Sequence, residues 1–150
     1  MSEKNYDKSA VVSALNRIME LELAGVVRYT QHSLMVYGYS RMPIISWLRE
    51  QANESLTHAT QAGELITHLE AEPSLKIAGL LEKHTHDIGE ILRESLQHES
   101  KALQAYKDLL ALVDGKSVML EEYARRLIGE EESHKGEVAK MLRAPAGAGH

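Results

Sequence analysis

The chain has 150 residues and a mass of 16.7 kDa, a size that fits one domain. It contains no cysteine, which excludes a disulfide scaffold, a thiolate nucleophile and a cysteine-ligated zinc or iron–sulfur site. The formal net charge of −5 argues against a nucleic-acid partner. No stretch approaches the ~20 apolar residues of a membrane span, and residues 1–10 are too polar for a signal peptide. We therefore expect a soluble, cytoplasmic protein with no membrane partner.

Apolar residues recur in alternating steps of four and three along four segments, which is typical of helices packed in a bundle. In chain order these segments predict helices at about 8–38, 44–71, 86–113 and 117–143. Each helix would be about 40 Å long at 1.5 Å per residue. No period-two run of β-branched residues competes with this pattern. The predicted fold class is all-α.

The links between the predicted helices differ in length. Pro43 lies near the start of the second helix, and Gly115 follows the third helix as a left-handed cap. The link at about 72–85 is much longer than the other two and contains 77–81, a candidate for a short extra turn. A short–long–short series predicts an antiparallel four-helix bundle with a crossover between helices two and three. Because residues 144–150 are rich in Ala, Gly and Pro, they predict a flexible tail on a single domain spanning 1–150.

Acidic and histidine residues interrupt each apolar stripe near the midpoint of its helix. Residues at the midpoints of packed helices lie at one height, so these side chains would meet inside the bundle. Burying several carboxylates without a counter-charge is prohibitively costly, and a bound metal cluster removes that cost. The alternative is that some helices are rotated and these side chains are exposed or ion-paired. The interrupting residues are Glu22, the stretch 51–58, Glu99, Glu131 and His134.

The two halves of the chain repeat this pattern. Glu22 precedes His58 by 36 residues, and Glu99 precedes His134 by 35. A tyrosine follows each of these glutamates by seven residues. A duplicated helix pair that supplies one Glu and one His twice predicts a site for two metals with pseudo-twofold symmetry. Histidine and carboxylate without thiolate suit iron or manganese, and zinc is a further alternative.

Several stretches resemble bacterioferritin, within the ferritin-like di-iron carboxylate proteins, over about residues 8–143. The resemblance is carried by Leu-Asn-Arg-Ile-Met-Glu-Leu-Glu-Leu-Ala-Gly at 15–25, Thr-His-Ala at 57–59, Leu-Glu-Ala-Glu-Pro at 69–73, Leu-Arg-Glu-Ser-Leu-Gln-His-Glu at 92–99 and Glu-Glu-Ser-His at 131–134. It implies a ferritin-like bundle with an iron centre inside it.

The resemblance also implies roles for individual residues. Glu22 and His58 would be terminal ligands of one iron, and Glu99 and His134 of the other. The equivalent of Glu131 is a bridging carboxylate. Tyr29 falls on the family's tyrosine beside the site, which makes it a candidate catalytic residue. The alternative is a structural core tyrosine.

The second helix departs from the family pattern at its bridging glutamate. Ser55 stands in that place, and Glu54 precedes it. Positions three and four before His58 lie about 100° apart around a helix, so Glu54 is a candidate substitute ligand. The alternatives are that Glu54 faces the surface or the inside of a shell.

Two further departures concern haem and assembly. Leu56 stands where the family has an axial methionine, and leucine has no lone pair for iron, so we expect no haem by that mode. The tail at 144–150 cannot replace the family's short fifth helix. A homo-oligomer, at least a dimer, is expected, whereas the resemblance does not extend to a 24-subunit shell. Trp47 is interpreted as a subunit contact, and the off-stripe histidines as solvated or crossover positions: His68, His84, His86 and His98.

Three functions remain open from the sequence. The first is a ferroxidase that oxidises Fe(II) with dioxygen or peroxide, for iron storage or detoxification. The second is a rubrerythrin-like oxidase or peroxidase which, without cysteine, needs an outside reductant. The third is a non-catalytic iron-binding bundle. DNA protection of the mini-ferritin kind fits least, because the first eight residues are not a basic arm.

Overall fold

The computed structural model describes residues 5–80 and 82–143, which form four helices: α1 (Lys8–Met35), α2 (Arg41–His68), α3 (Ile88–Val113) and α4 (Val118–Leu142). Side chains cap the first turns of three of these helices. Asp7 accepts from the N–H of Ala10, and Asp87 and Ser117 each accept from the N–H three residues later. No strand occurs within the described ranges, so the predicted all-α class is confirmed.

Contacts between the helices give their directions. On α1 and α3, Glu22 contacts Tyr106 and Tyr29 contacts Glu99, so residue numbers rise along one helix as they fall along the other. Met19 of α1 lies near Gly63 of α2, further from the α1–α2 link than the Glu22 level. The bundle is therefore antiparallel, with residues 69–87 as the crossover from α2 to α3. The predicted topology is confirmed.

The apolar core is divided into two clusters, one on each side of a polar layer. The larger cluster runs from Val11 to Ala24 on α1 and reaches Leu127 on α4. The smaller cluster contains Tyr29 and Leu48 at the other end of the bundle. Each fully buried large side chain stabilises the fold by roughly 1.5–3 kcal/mol. The two clusters therefore hold the buried polar layer between them at a fixed height.

The observed helix ends differ from the predicted ones by up to three residues. Helix α1 ends at Met35 rather than 38, because Val36 is extended and Gly38 has φ of 113°. Helix α2 runs from Arg41 to His68 rather than from 44 to 71, and Glu70 beyond it has φ of 62°. These left-handed residues turn the chain out of the helical path.

The predicted extra turn at 77–81 is wrong for residues 77–80, which are not helical. Instead, the N–H of Ala78 donates to the carbonyl of Glu20 at 3.0 Å, and Ala78 is buried. The crossover thus runs along α1, and this contact satisfies its backbone. Leu81 and the predicted tail at 144–150 lie outside the described residues. Among the described helices, none is long and apolar enough to cross a membrane.

Candidate metal centre

All four helices contribute to the polar layer, which we call the metal centre: Glu22, His58, Glu99, Glu131 and His134. The first four of these residues are no more than 5% exposed. His134 is partly buried, with a side chain that is 14% exposed. The structure therefore brings together the five residues at which the apolar stripes are interrupted.

One half of the metal centre joins α1, α2 and α4. His58 Nδ1 lies 3.1 Å from Glu22 Oε2 and 3.8 Å from Glu131 Oε1. The hydroxyl of Tyr106 donates to Glu22 Oε2 at 2.6 Å, which fixes the orientation of this carboxylate. One ligand atom from each of Glu22, His58 and Glu131 lies within 4.8 Å of the others. This spacing is short enough for one metal ion.

The other half is related to the first by the sequence repeat. His134 Nδ1 lies 3.4 Å from Glu99 Oε2, and the Tyr29 hydroxyl donates to Glu99 Oε1. Glu99, Glu131 and His134 also offer ligand atoms within 4.8 Å of one another. Because Glu131 belongs to both groups, the two halves form one centre with a shared carboxylate.

Burial and mutual repulsion shift the pKa values of the acids in opposite directions. Burial raises the pKa of Glu131 far above its usual range, and the neighbouring Glu99 raises it further. Burial also disfavours ionised Glu99, but hydrogen bonds from Glu131 and His134 outweigh it and lower the Glu99 pKa. Of the two acids, Glu131 therefore favours its protonated form and Glu99 its ionised form.

The histidines show the same balance. Burial alone would lower their pKa values, but hydrogen bonds and charges from the carboxylates raise them, chiefly Glu22 for His58 and Glu99 for His134. The hydroxyl of Tyr29 is buried beside Glu99, and burial raises its pKa well above the ordinary value. Tyr29 is therefore a proton donor and not a phenolate at neutral pH.

Two polar atoms of the centre have no protein partner. Glu131 Oε2 and His134 Nε2 are buried without a hydrogen bond. Within the described part of the chain, no lysine or arginine forms an ion pair with Glu22, Glu99 or Glu131. The ionisable partners of these acids are the imidazoles of His58 and His134, and a buried cluster of acids with so little counter-charge is stabilised by a bound cation. This donor set of oxygen and imidazole nitrogen therefore fits two divalent ions such as iron, manganese or zinc.

Glu54 lies apart from the buried carboxylates. Its half-exposed side chain places Oε1 3.8 Å from His58 Nε2, on the opposite ring nitrogen from Glu22. Glu130 is nearer to the same nitrogen, at 3.3 Å, and accepts from Arg126 Nη1 at 3.0 Å. Glu54, His58 and Glu130 form a third group that could hold an ion, at the surface. That Glu54 is a ligand stays a prediction.

The apolar periodicity of α4 does not distinguish Glu130, but the internal repeat does. Glu130 precedes Glu131 just as Glu54 precedes Ser55, so the repeat pairs these two outer acids. The structure shows both acids at the same edge of His58.

Trp47 packs over the metal centre. Its ring centroid lies 5.6 Å from that of His134 and 6.4 Å from that of Tyr29. The prediction of a subunit contact did not anticipate this packing within the chain. The indole therefore lies on one side of the centre, in contact with both rings.

The four off-stripe histidines do not share one environment. His68, His84 and His86 are exposed, as predicted. His98 is partly buried beside the crossover: its Nε2 is buried without a hydrogen-bond partner, and its ring packs edge-on against Tyr29 at 6.3 Å. The crossover passes over this part of α3, and its contribution to burial is not visible in helical periodicity.

Comparison with known proteins agrees with this fold. The family model of the ferritin-like domain matches residues 12–146, so the chain belongs to the ferritin family. This membership confirms the ferritin-like class that the bundle and its buried acids define. No curated protein matches the sequence.

Solved structures with the same fold include a dodecameric thioferritin, the bacterioferritin-related protein of Bacteroides fragilis, with a TM-score of 0.82 and 22% identity over 91% of this chain and 86% of that one. A ferritin-like di-iron carboxylate protein of Bacillus anthracis has a TM-score of 0.81 and 20% identity, and the match covers 93% of this chain and 99% of that one. A third structure is Rhodobacter capsulatus bacterioferritin, which has a metal-free dinuclear site and haem iron. Its TM-score is 0.80 and its identity 21%, and the match covers 96% of this chain and 99% of that one. At these identities the likeness shows the fold.

Proposed function

We propose that the protein is a bacterioferritin-like ferroxidase that binds two Fe(II) ions inside its bundle and oxidises them to Fe(III). The observation that carries this proposal is the pair of ligand groups that share Glu131. Three buried carboxylates whose ionisable partners in the described part of the chain are histidines, with no lysine or arginine among them, support it further. The bacterioferritin resemblance of the sequence and the bacterioferritins among the structural neighbours favour the same function.

Each ligand residue has a role in the proposal. Glu22 and His58 hold one iron, Glu99 and His134 hold the other, and Glu131 binds both. The bound iron supplies the electrons: two Fe(II) reduce dioxygen with two protons to hydrogen peroxide, or hydrogen peroxide with two protons to water. Carboxylate oxygens are hard donors and favour Fe(III) over Fe(II).

Tyr29 is the proposed catalytic residue outside the ligand set. Its hydroxyl donates to Glu99, and its raised pKa keeps the proton on oxygen. Tyr29 therefore holds Glu99 in one orientation, in which the other carboxylate oxygen, Oε2, faces His134.

Stopped-flow oxidation of Fe(II) tests the function. The metal-free wild-type chain is expected to take up about two Fe(II) per chain anaerobically and to oxidise them faster than buffer when dioxygen or peroxide is added. Oxidation only with peroxide would favour the rubrerythrin-like alternative. Binding without acceleration by either oxidant would favour the non-catalytic bundle. The observation that supports this alternative is Ser55, which stands in the place of the family's bridging glutamate.

Replacing Glu130 with glutamine is expected to weaken binding of the ion at His58 by roughly 10–100-fold, as loss of an outer hydrogen bond to a ligand histidine commonly does. The reason is that Glu130 accepts from His58 Nε2 and thereby directs Nδ1 toward Glu22. Calorimetric titration with Zn(II) measures the effect. Glu132→Gln, on the exposed side of the same turn, is the matched control and should leave affinity unchanged. Equal effects of both variants would contradict the role of Glu130.

We further propose that the protein is a cytoplasmic homo-oligomer built from one domain per chain. Large apolar side chains are exposed at the α1–α2 end of the bundle, including Leu34, Tyr39 and Met42. Multi-angle light scattering at micromolar concentration is expected to give at least a dimer. A monomer would contradict this expectation, and a mass near 24 chains would show that a shell forms.

Haem is not expected to bind through α2. Leu56 occupies the place of the axial methionine and is half-exposed. Reconstitution with haem, followed by absorption spectroscopy, should give no stoichiometric low-spin Soret band. A band at about one haem per two chains would identify a different axial ligand and refute the expectation.

A further inference from the structure

Three helices meet closely beside the metal centre at Gly25 of α1. A Cβ at this position would lie 2.9 Å from Ser55 Oγ and 3.0 Å from His98 Nε2. By these two distances, the oxygen and the nitrogen are no more than about 6 Å apart. His98 Nε2 is buried without a partner. Gly25 therefore lets Ser55 Oγ and His98 Nε2 converge on the α1 backbone at a point where any larger residue would collide with both.

Ser55 leaves the metal centre one carboxylate short. Ser55 precedes His58 by three residues, just as Glu131 precedes His134. Helix α4 therefore supplies a buried carboxylate where α2 supplies a hydroxyl. The three buried carboxylates carry at most three negative charges against the four positive charges of two divalent ions. Glu54 lies at the outer edge of His58, on the opposite ring nitrogen from Glu22, and does not replace this carboxylate.

We propose that a small monoanionic carboxylate, of the size of formate, binds at Ser55 and His98 and completes the metal centre. The inference rests on the proposed di-metal function. A hydroxyl and an imidazole N–H are the donors that such an anion requires. The anion would supply the fourth negative charge that the chain lacks.

A groove on the outer side of His98 favours the entry of an anion. Its volume is about 340 Å³, and its wall carries Arg17, Arg28 and Lys101 against a single acid, Glu94. This excess of positive charge is local, because the chain as a whole has a net charge of −5. A positively charged concave surface concentrates anions. His98 lines the groove and also presents Nε2 to Gly25, so the same residue borders the groove and the proposed anion position.

Calorimetric titration of the metal-free full chain with Zn(II) tests the proposal, since zinc is redox-inert. The buffer contains no carboxylate, and sodium formate is compared with sodium chloride at equal ionic strength. Formate is expected to tighten binding of the second Zn(II) at least about tenfold, and chloride is not. Binding of two Zn(II) without any effect of formate would overturn the proposal. Failure to bind Zn(II) at all would instead count against the proposed di-metal function.

Matched variants locate the anion. Ser55→Glu supplies the missing carboxylate, so it should bind two Zn(II) tightly and show no formate effect. Thr57→Glu adds the same charge on the exposed face of α2 and should keep the wild-type formate effect. His98→Leu should lose the formate effect, whereas His84→Leu, at an exposed histidine, should keep it. A full formate effect in folded His98→Leu, checked by circular dichroism, would overturn the assignment to His98.

Discussion

Alanine at both Glu131 and His134 is expected to abolish the fast phase of Fe(II) oxidation, with a loss of at least about 100-fold. The shared carboxylate contacts both ligand groups, and His134 is the imidazole of one group. Loss of two ligands removes several kcal/mol of metal binding, and each ~1.4 kcal/mol is a factor of ten. Stopped-flow absorbance after mixing with oxygenated buffer measures the rate.

The control for this variant lies on the same helix. Glu122 and Glu132 are exposed on α4, so replacing both with alanine removes two acidic side chains outside the centre. The control should oxidise Fe(II) at the wild-type rate. If the Glu131/His134 double variant folds and does the same, oxidation occurs elsewhere and the assigned centre is wrong.

The stability of the metal-free protein is expected to fall as pH rises from about 5 to 8. The pKa values of Glu131, His58 and His134 are raised in the folded state. Their contribution is fully present below their unfolded pKa values and is lost as pH rises through the folded ones. Each group lowers the free energy of unfolding by up to about 1.4 kcal/mol per pH unit. His32 opposes this trend, because burial lowers its pKa.

Thermal melts of wild type and Glu131→Gln across this pH range measure the effect. Glutamine resembles the protonated acid and does not titrate, so the stability of the variant should depend less steeply on pH than that of wild type. Glu132→Gln should match wild type. An increase of metal-free stability between pH 5 and 8 in wild type would contradict the assigned pKa shifts.

Metal should reverse this pH trend, because the ions bind the deprotonated ligands. At a hundredfold excess over the dissociation constant, each ion adds about 2.7 kcal/mol. For a chain of this size, each kcal/mol raises the melting temperature by about 2–4 °C. Two ions should therefore raise it by roughly 10–20 °C. No rise with Zn(II) or Mn(II) would contradict a buried metal centre.

The helices and the burial of the acidic residues between them could be predicted because their signals are local. A stripe in steps of three and four identifies the buried face of a helix, and a glutamate within that stripe must lie inside the bundle. Glu22 and Glu99 satisfy this condition directly. The antiparallel packing then fixes their common height.

Features that depend on contacts between distant segments could not be predicted. Glu54 is only one position from Ser55, yet Ser55 is buried and Glu54 is half-exposed at the outer edge of His58. The burial of His98 depends on the crossover and on the missing Cβ of Gly25, neither of which alters the periodicity of α3. The C-terminal ends of α1 and α2 differ from the predicted ones for a related reason, because residues with positive φ, Gly38 and Glu70, follow these helices.

Anomalous diffraction from crystals of the chain loaded anaerobically with Fe(II) tests the central claim most directly. We expect two iron peaks per chain inside the bundle, one between Glu22 and His58 Nδ1 and one between Glu99 and His134 Nδ1, with Glu131 in contact with both. Iron found only at the outer group of Glu54, Glu130 and His58 Nε2, with none between the buried carboxylates, would contradict it.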